Sequence, residues 1–325
     1  MLFINGISYD PAINLASEEY LFRVFDEECF MIWQNDRSVI VGQYQNVREE
    51  VNMKYAEKEG IKILRRITGG GAVFHDMGNV NFSFVTSRNR GDAFDFAFFM
   101  DKIAGVLEGL GVKADVSGRN DIYIDGKKIS GNAQYVSGKR VLHHGTLLFD
   151  VNIETMEQVL STEREGITSP AVKSVKSCVT NIKKHLPGKL TVDEFVAAIG
   201  NRIRADEEIR DYSFTEEEVR NIEALAADKY LSWEWNFGSS PQYSLEKRGR
   251  WQEGSMKIFL NVSAGKITAF DVKGDFFADE HFEDRRKCVI GCTMKRDALK
   301  GVVHRLAESV YGLRGEDMLR WILYG

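Results

Sequence analysis

Two stretches gather side chains that can handle an anion. The first, RRITGGGAVFHDMGNVNFSF over residues 65–84, sets two arginines ahead of three consecutive glycines. A guanidinium pairs bidentately with a carboxylate or a phosphate. Gly69, Gly70 and Gly71 leave a backbone able to take positive φ, and successive amides in such a loop form a concave anion site. No Gly-Lys-Ser/Thr ending follows, so this is not a nucleoside-triphosphate P-loop, and no helix pattern follows, so it is not a dinucleotide fingerprint. Arg65 and Arg66 occupy consecutive strand positions and face opposite sides of a sheet, so one of them reaches the loop's ligand. The same pair also fits solvated arginines beside a tight turn. His75 reads either as a structural histidine or as a donor to a phosphate oxygen.

The second stretch is SGRNDIYIDGKKISGNAQ, residues 117–134. Asp125-Gly126 between two apolar runs predicts a two-residue hairpin. The expected pairs are Ile124 with Lys127, Tyr123 with Lys128, Ile122 with Ile129 and Asp121 with Ser130. Lys128 then shares a polar face with Asp121, Tyr123 and Ser130. Lys127 falls with the isoleucines, at the tip, where it can reach water. A lysine at position 128 can neutralise charge building on a phosphate or carboxylate during group transfer; a solvent-facing sheet surface fits the same alternation. His143 and His144 open a further strand-like run. Cys288 and Cys292 are spaced C-x₃-C with no second pair, which does not satisfy tetrahedral zinc.

The elements that must carry these residues follow from local pattern. Asp10-Pro11 predicts a helix start over NLASEEYLFRVF. CFMIWQ, RSVIVGQYQ and IKILRR predict strands, and residues 47–60 predict one helix ending at Gly60. Ala72–His75 and Val80–Val85 predict a hairpin around a four-residue loop. That places Val73, His75, Val80 and Phe82 on one face and Ala72, Phe74, Asn81 and Ser83 on the other. Residues 93–111, 192–205 and 215–229 predict helices. Beyond residue 240 the texture changes to two alternating strands around Ala264-Gly265 and then helices. The division expected is a domain over 1–240 and a small one over 241–325.

The chain has 325 residues, 43% hydrophobic and 28% charged, with a net charge of −5. That balance offers no basic field for a nucleic-acid backbone. Four cysteines in this length do not form a disulfide framework. The start of the chain lacks a signal-peptide pattern, and no apolar run reaches the roughly 20 residues that span a bilayer. A cytosolic protein with no membrane partner is expected.

Taken in order, the two stretches together with NLASEEYL, VIVGQYQN, HHGTLLFD, GITSPAVKSVKSCVTN and SWEWNFG resemble the lipoate–protein ligase family over nearly the whole chain. The resemblance implies an α+β fold, a mixed, largely antiparallel sheet flanked by helices and related to biotin ligases and class II tRNA synthetases, with a small accessory domain. It implies two reactions. A fatty-acid carboxylate attacks the α-phosphate of ATP, giving an acyl-adenylate and pyrophosphate; a carrier-domain lysine then attacks that anhydride, giving an amide and AMP. On the family pattern Arg66 is the nucleotide contact, and Gly71, Ala72, Val73 and Phe74 lie along the nucleotide. Lys128 touches both the acyl carbonyl and the phosphate. Asn79, Asp121 and His144 lie within matching motifs. Mg²⁺ is expected with ATP. Lipoate or octanoate is the implied acid, and the implied acceptors are apo lipoyl domains of 2-oxoacid dehydrogenase complexes or the glycine-cleavage carrier protein.

Two other readings stand beside this one. KSCVTN puts Cys178 where some ligases carry a basic residue, and Lys173, Lys176 and Lys183 around it could lower a thiol's pKa. That suits an acyltransferase working through a cysteine thioester without ATP. The other is a catalytically idle protein that holds lipoyl-adenylate or the carrier. A biotin ligase fits less well, because its biotin loop differs from RRITGGGAVFHD.

Overall fold

The computed structural model describes all residues except 44, 88–95, 118–119, 161–166, 169–177, 207–208, 239–242, 277, 280 and 325. Its strands form three sheets of eight, three and four strands. The eight-stranded sheet runs β12 (Arg210–Tyr212), β1 (Leu2–Asn5), β2 (Cys29–Trp33), β6 (Asn79–Ser87), β10 (Arg140–Leu148), β9 (Lys127–Ser137), β8 (Asp121–Ile124) and β7 (Asp115–Ser117). Only the β12/β1 and β1/β2 pairs are parallel; the pairs from β2 to β7 are antiparallel.

Strand alternation gives this sheet two unlike faces. Val80, Phe82 and Phe84 of β6 and Leu147 of β10 enter an apolar core. That core is closed by Ile103 and Leu107 of α4 (Phe96–Gly109) and by Phe195 and Ile199 of α6 (Val192–Asp206). The intervening residues Asn79, Asn81 and Ser83 are polar yet buried, on the other face. Helix α1 (Pro11–Val24) packs against β2, β6 and β10. It begins as its sequence predicts: the Asp10 carboxylate accepts from the Ala12 amide at 2.8 Å, with Pro11 in the first turn.

The three-stranded sheet is β4 (Lys62–Arg65), β3 (Ser38–Val41) and β5 (Val73–His75). This corrects the hairpin expected around Asp76–Asn79. β5 pairs with β3, whereas β6 pairs with β2 and β10, so the chain changes sheets at this turn. The turn itself forms, closed by the Asn79 amide on the Asp76 carbonyl at 3.0 Å. The split of β6 into an apolar Val80/Phe82 face and a polar Asn81/Ser83 face stands.

The helix expected over 47–60 is two: α2 (Val47–Glu50) and α3 (Met53–Glu59). Val51 is extended, with φ −121° and ψ 130°, and the Asn52 side chain accepts from the Tyr55 amide at 3.1 Å. An Asn that can cap a new helix competes with continuing the old one.

By contacts the chain separates into two compact units. One takes residues 1–43, 60–160 and 174–232, and the other 44–59, 161–173 and 233–325. The second unit holds the sheet β11 (Ile167–Thr168), β13 (Tyr243–Trp251), β14 (Gly254–Ser263) and β15 (Lys266–Asp275). α9 (Arg296–Glu308) and α10 (Gly315–Tyr324) supply Val303, Leu306, Leu319 and Ile322 to its core. The turn joining β14 and β15 holds Ala264 at φ 48° and Gly265 at φ 70°, as the alternating runs around it predict. Arg48 belongs to this unit and donates to the carbonyls of Leu323 and Met294, the latter at 2.9 Å.

Candidate active site

Arg66 leaves β4 and turns back under the glycine loop. Its Nε donates to Thr68 Oγ1 at 2.8 Å and its Nη1 to the Ile40 carbonyl at 3.1 Å. Its Nη2 reaches the carbonyls of Gly69 at 2.7 Å and Gly71 at 2.8 Å. A guanidinium has five N–H groups, so most of this one is engaged in holding the loop's shape. Burial pushes Arg66 down to about 10, which still leaves it charged at neutral pH. Arg65 faces the other way, as alternation predicts, and donates to the Gly42 and Gln43 carbonyls.

Of the three loop glycines, Gly70 is the one at positive φ, 94°. Gly42 supplies the close approach: a Cβ there would stand 2.2 Å from the Gly70 carbonyl oxygen. Ala72 and Phe74 are buried beyond the loop, and Val73 is half-buried. His75 is buried with its Nδ1 accepting from Asn35 Nδ2 at 3.0 Å. Burial first, then the Arg66 charge and the neighbouring His144, lower its pKa to about 3. His75 is therefore a neutral ring at physiological pH.

A chain of buried polar groups ties the loop to the large sheet. Trp33 Nε1 donates to Ser83 Oγ at 3.0 Å, and that hydroxyl donates to Glu18 Oε1 at 2.6 Å. The same carboxylate oxygen lies 2.8 Å from His144 Nδ1, and His144 Nε2 lies 2.8 Å from Thr68 Oγ1. A carboxylate oxygen accepts, so His144 Nδ1 donates to Glu18, and Nε2 faces the Thr68 hydroxyl. Thr68 in turn accepts from Arg66. Thr68, Glu18, Trp33 and Ser83 were not singled out from sequence. NLASEEYL marked the segment of Glu18, but nothing local says which carboxylate turns inward to the sheet.

The lysine hairpin forms at Asp125-Gly126, with both residues at positive φ, 50° and 72°. Its first two pairs, Ile124 with Lys127 and Tyr123 with Lys128, are as expected. The next two are corrected. Ile122 pairs with Ser130 and Asp121 with Gly131, because a bulge inserts Ile129 as an extra residue. A bulge re-aims the strand. Here it sends Ser130 to the side of Ile122 and brings Gly131 onto the side of Lys128. A Cβ at Gly131 would lie 3.0 Å from Lys128 Nζ, so the ammonium rests over this glycine. Lys128 Nζ is 2.9 Å from Asp121 Oδ1, and the Tyr123 hydroxyl donates to Asp121 Oδ2 at 3.1 Å.

The faces can now be matched. Ala133 pairs with His144 across β9 and β10, and cross-strand partners share a face. Gly131 lies two residues from Ala133 and shares it too. The ammonium of Lys128 and the imidazole of His144 therefore stand on one face of the sheet, and through Thr68 the glycine loop is fastened to that face. Asn79 and Asn81 lie on the same side of β6, joined by a 2.9 Å bond between their amides. Among the sequence candidates, Lys128, Asp121, His144 and Asn79 thus share a surface to which Arg66 and the loop are anchored.

Cys178 is exposed. Its carbonyl accepts the Lys128 amide at 2.9 Å, and the Lys128 carbonyl accepts the Thr180 amide at 3.1 Å, so this segment pins the backbone of the lysine. Of the cations expected around its thiol, Lys183 pairs with Asp150 at 2.5 Å. Lys173 and Lys176, with most of GITSPAVKSVKSCVTN, lie outside the described residues.

A family model for the lipoyl protein ligase A/B catalytic domain matches residues 10–204, and one for the bacterial lipoate protein ligase C-terminus matches residues 240–322. The lipoate-protein ligase LplJ of Bacillus subtilis (strain 168) is 39% identical over 313 residues, covering 93% of this chain and 94% of that protein. Among solved structures, a lipoate-protein ligase A bound with ATP aligns at a TM-score of 0.61 and 29% identity, over 74% of this chain and 97% of that one. A structural analysis of an archaeal lipoylation system, a bi-partite lipoate protein ligase and its E2 lipoyl domain from Thermoplasma acidophilum, aligns at 0.64 and 28%, over 73% and 96%. Fold, site and matches define a cofactor–protein ligase. Within that class, the chain belongs to the lipoate–protein ligase family.

Proposed function

We propose that this protein activates lipoate with ATP and transfers the lipoyl group to a lysine of a lipoyl carrier domain. The observation that carries this reading is the sheet face shared by Lys128, His144 and the anchored glycine loop. A carboxylate and a triphosphate repel, so their encounter needs fixed positive charge and preorganised amides. In the first step a lipoate oxygen bonds to the α-phosphorus and pyrophosphate departs. Lys128 neutralises charge on the carboxyl and α-phosphoryl oxygens as they meet, and the amides of Gly69 to Phe74 run along the nucleotide. In the second step the neutral amine of the carrier lysine attacks the acyl carbon, AMP leaves with the bridging oxygen, and the amine loses a proton.

Asp121 holds the Lys128 ammonium from the side, and Tyr123 holds Asp121. Arg66 supports the nucleotide chiefly by setting the loop, with its charge close beneath. Magnesium enters as the counter-ion of ATP. Bound with ATP, Mg²⁺ would offset charge on the phosphate oxygens; among the described residues no group of three or more His, Cys, Asp or Glu is arranged to hold a metal ion. The catalytic work is assigned to residues 1–240 and the accessory role to 241–325. No described helix is long and apolar enough to cross a membrane, and a cytosolic setting, with carriers from 2-oxoacid dehydrogenase or glycine-cleavage systems, suits this chemistry.

The test is pyrophosphate release on mixing the protein with lipoate and MgATP, followed by AMP release and carrier modification on adding an apo lipoyl domain. Carrier lipoylation without nucleotide would replace this reading with a Cys178 thioester transferase. Tight binding of lipoate and ATP with no pyrophosphate would leave a binding protein.

A further inference from the structure

Two cysteines of the second unit stand outside the ligase chemistry. Cys288 follows α8 (Phe282–Lys287) and is exposed, and Cys292 is half-buried one turn later. The Cys292 thiol points back over that turn, its Sγ 3.5 Å from the Cys288 carbonyl oxygen. The Cys288 Sγ lies 3.4 Å from the Asp284 carbonyl. The turn is tight: the Cys292 amide donates to the Val289 carbonyl at 3.3 Å, with Gly291 at φ 89°. It is also fastened to β15, through the Gly291 amide on the Ile267 carbonyl at 2.7 Å and the Ile267 amide on the Cys292 carbonyl at 2.9 Å. The chain has left the helix here, and the turn at Gly291 folds Cys292 back so that its sulfur rests against the backbone of Cys288 itself. For the two sulfurs to meet, the exposed Cys288 thiol must leave the Asp284 carbonyl.

We propose that Cys288 and Cys292 form a reversible dithiol site that takes a small acyclic disulfide as its oxidant and closes into an intramolecular disulfide. The Cys288 thiolate attacks one sulfur of RS–SR and expels RS⁻, leaving a mixed disulfide on Cys288. The Cys292 thiol then loses its proton, attacks the Cys288 sulfur and expels the second RS⁻. One small disulfide is reduced to two thiols, which take up the two protons, and two protein thiols are oxidised. The order of attack follows from exposure. Burial, with Cys288 beside it, pushes the Cys292 thiol up, so Cys292 suits the resolving step. The other two cysteines lack this arrangement: Cys29 is buried, with burial pushing its thiol up to about 12, and Cys178 has no neighbouring cysteine in sequence.

The test uses the full-length reduced protein, glutathione disulfide as probe, alkylation under denaturing conditions and tryptic mapping. Cleavage after Lys287 and Lys295 places both thiols in one peptide, residues 288–295. The expected result is that this peptide escapes alkylation and loses two hydrogens, and that closure is at least about ten-fold faster in the native protein than in urea, because the fold holds the partners together. Cys292→Ser should retain a glutathione adduct on Cys288, and Cys288→Ser should leave Cys292 alkylated. The proposal is overturned if the wild-type peptide carries two alkyl groups, or a lasting adduct, at probe concentrations that already modify Cys178. Equal closure rates in urea would overturn it as well.

Discussion

Thr68 and His144 are 76 residues apart in sequence and meet in one hydrogen bond of 2.8 Å. That bond joins the loop that would meet the nucleotide to the strand beside the one bearing Lys128. Replacing Thr68 by Val keeps the volume but leaves the Arg66 Nε–H and the His144 Nε2 without this partner. Each unsatisfied buried group costs about 1–3 kcal/mol. Thr68→Val should lower stability by about 2 kcal/mol or more and slow pyrophosphate release at least about ten-fold, while Thr68→Ser should restore most of both. Urea unfolding alongside the release assay checks this, and a Val variant as fast as wild type would show that the bond does not position the loop.

Lys128→Ala should cut adenylate formation by about 10²–10³-fold, the usual effect of removing one preorganised donor, with the fold retained. Lys127 is exposed at the hairpin tip, and Lys127→Ala should stay within about two- to three-fold of wild type. Equal losses in the two variants would contradict the face assignment.

Gly131 gives an independent handle on the same ammonium. A methyl group there would stand 3.0 Å from Nζ and 3.1 Å from Cε of Lys128. The lysine end is flexible and moves more readily than the strand. Gly131→Ala should therefore depress turnover severalfold while the unfolding midpoint changes little. A large stability loss at unchanged turnover would mean that the strand, not the lysine, yields.

His75 predicts a pH dependence whose sign is fixed by its burial. Its folded-state pKa is depressed to about 3, against about 6.5 in an unfolded chain. Below about pH 6.5 the unfolded chain takes up a proton that the folded one refuses. The contribution is thus fully present above about 6.5 and is lost as pH falls toward about 3, at about 1.4 kcal/mol per unit. Comparing wild type with His75→Gln between about pH 7.5 and about pH 4.5 isolates it. The variant should show a shallower acid slope; an unchanged slope would mean that the ring is protonated when folded.

The linear order of motifs was enough to read the family, the Asp125-Gly126 turn, the Asp10-Pro11 helix start, the polar and apolar faces of β6, and the face that Lys128 shares with Asp121 and Tyr123. Each is a local property, carried by backbone preference, capping or side-chain period. Three-dimensional packing decided the rest. The extra residue at Ile129 leaves no mark on alternation, yet it changes which residue lies beneath the Lys128 ammonium. The turn at Asp76–Asn79 has the same chemistry whether it closes a hairpin or passes between sheets, so only the strands available on either side settle it. The chain from Trp33 to Arg66 joins five distant segments, each satisfying another's buried hydrogen-bonding group, and no neighbour in sequence reports such a partner. Arg48 likewise finds the Leu323 carbonyl, 275 residues on, because a buried polar group is satisfied by whatever the fold brings within reach.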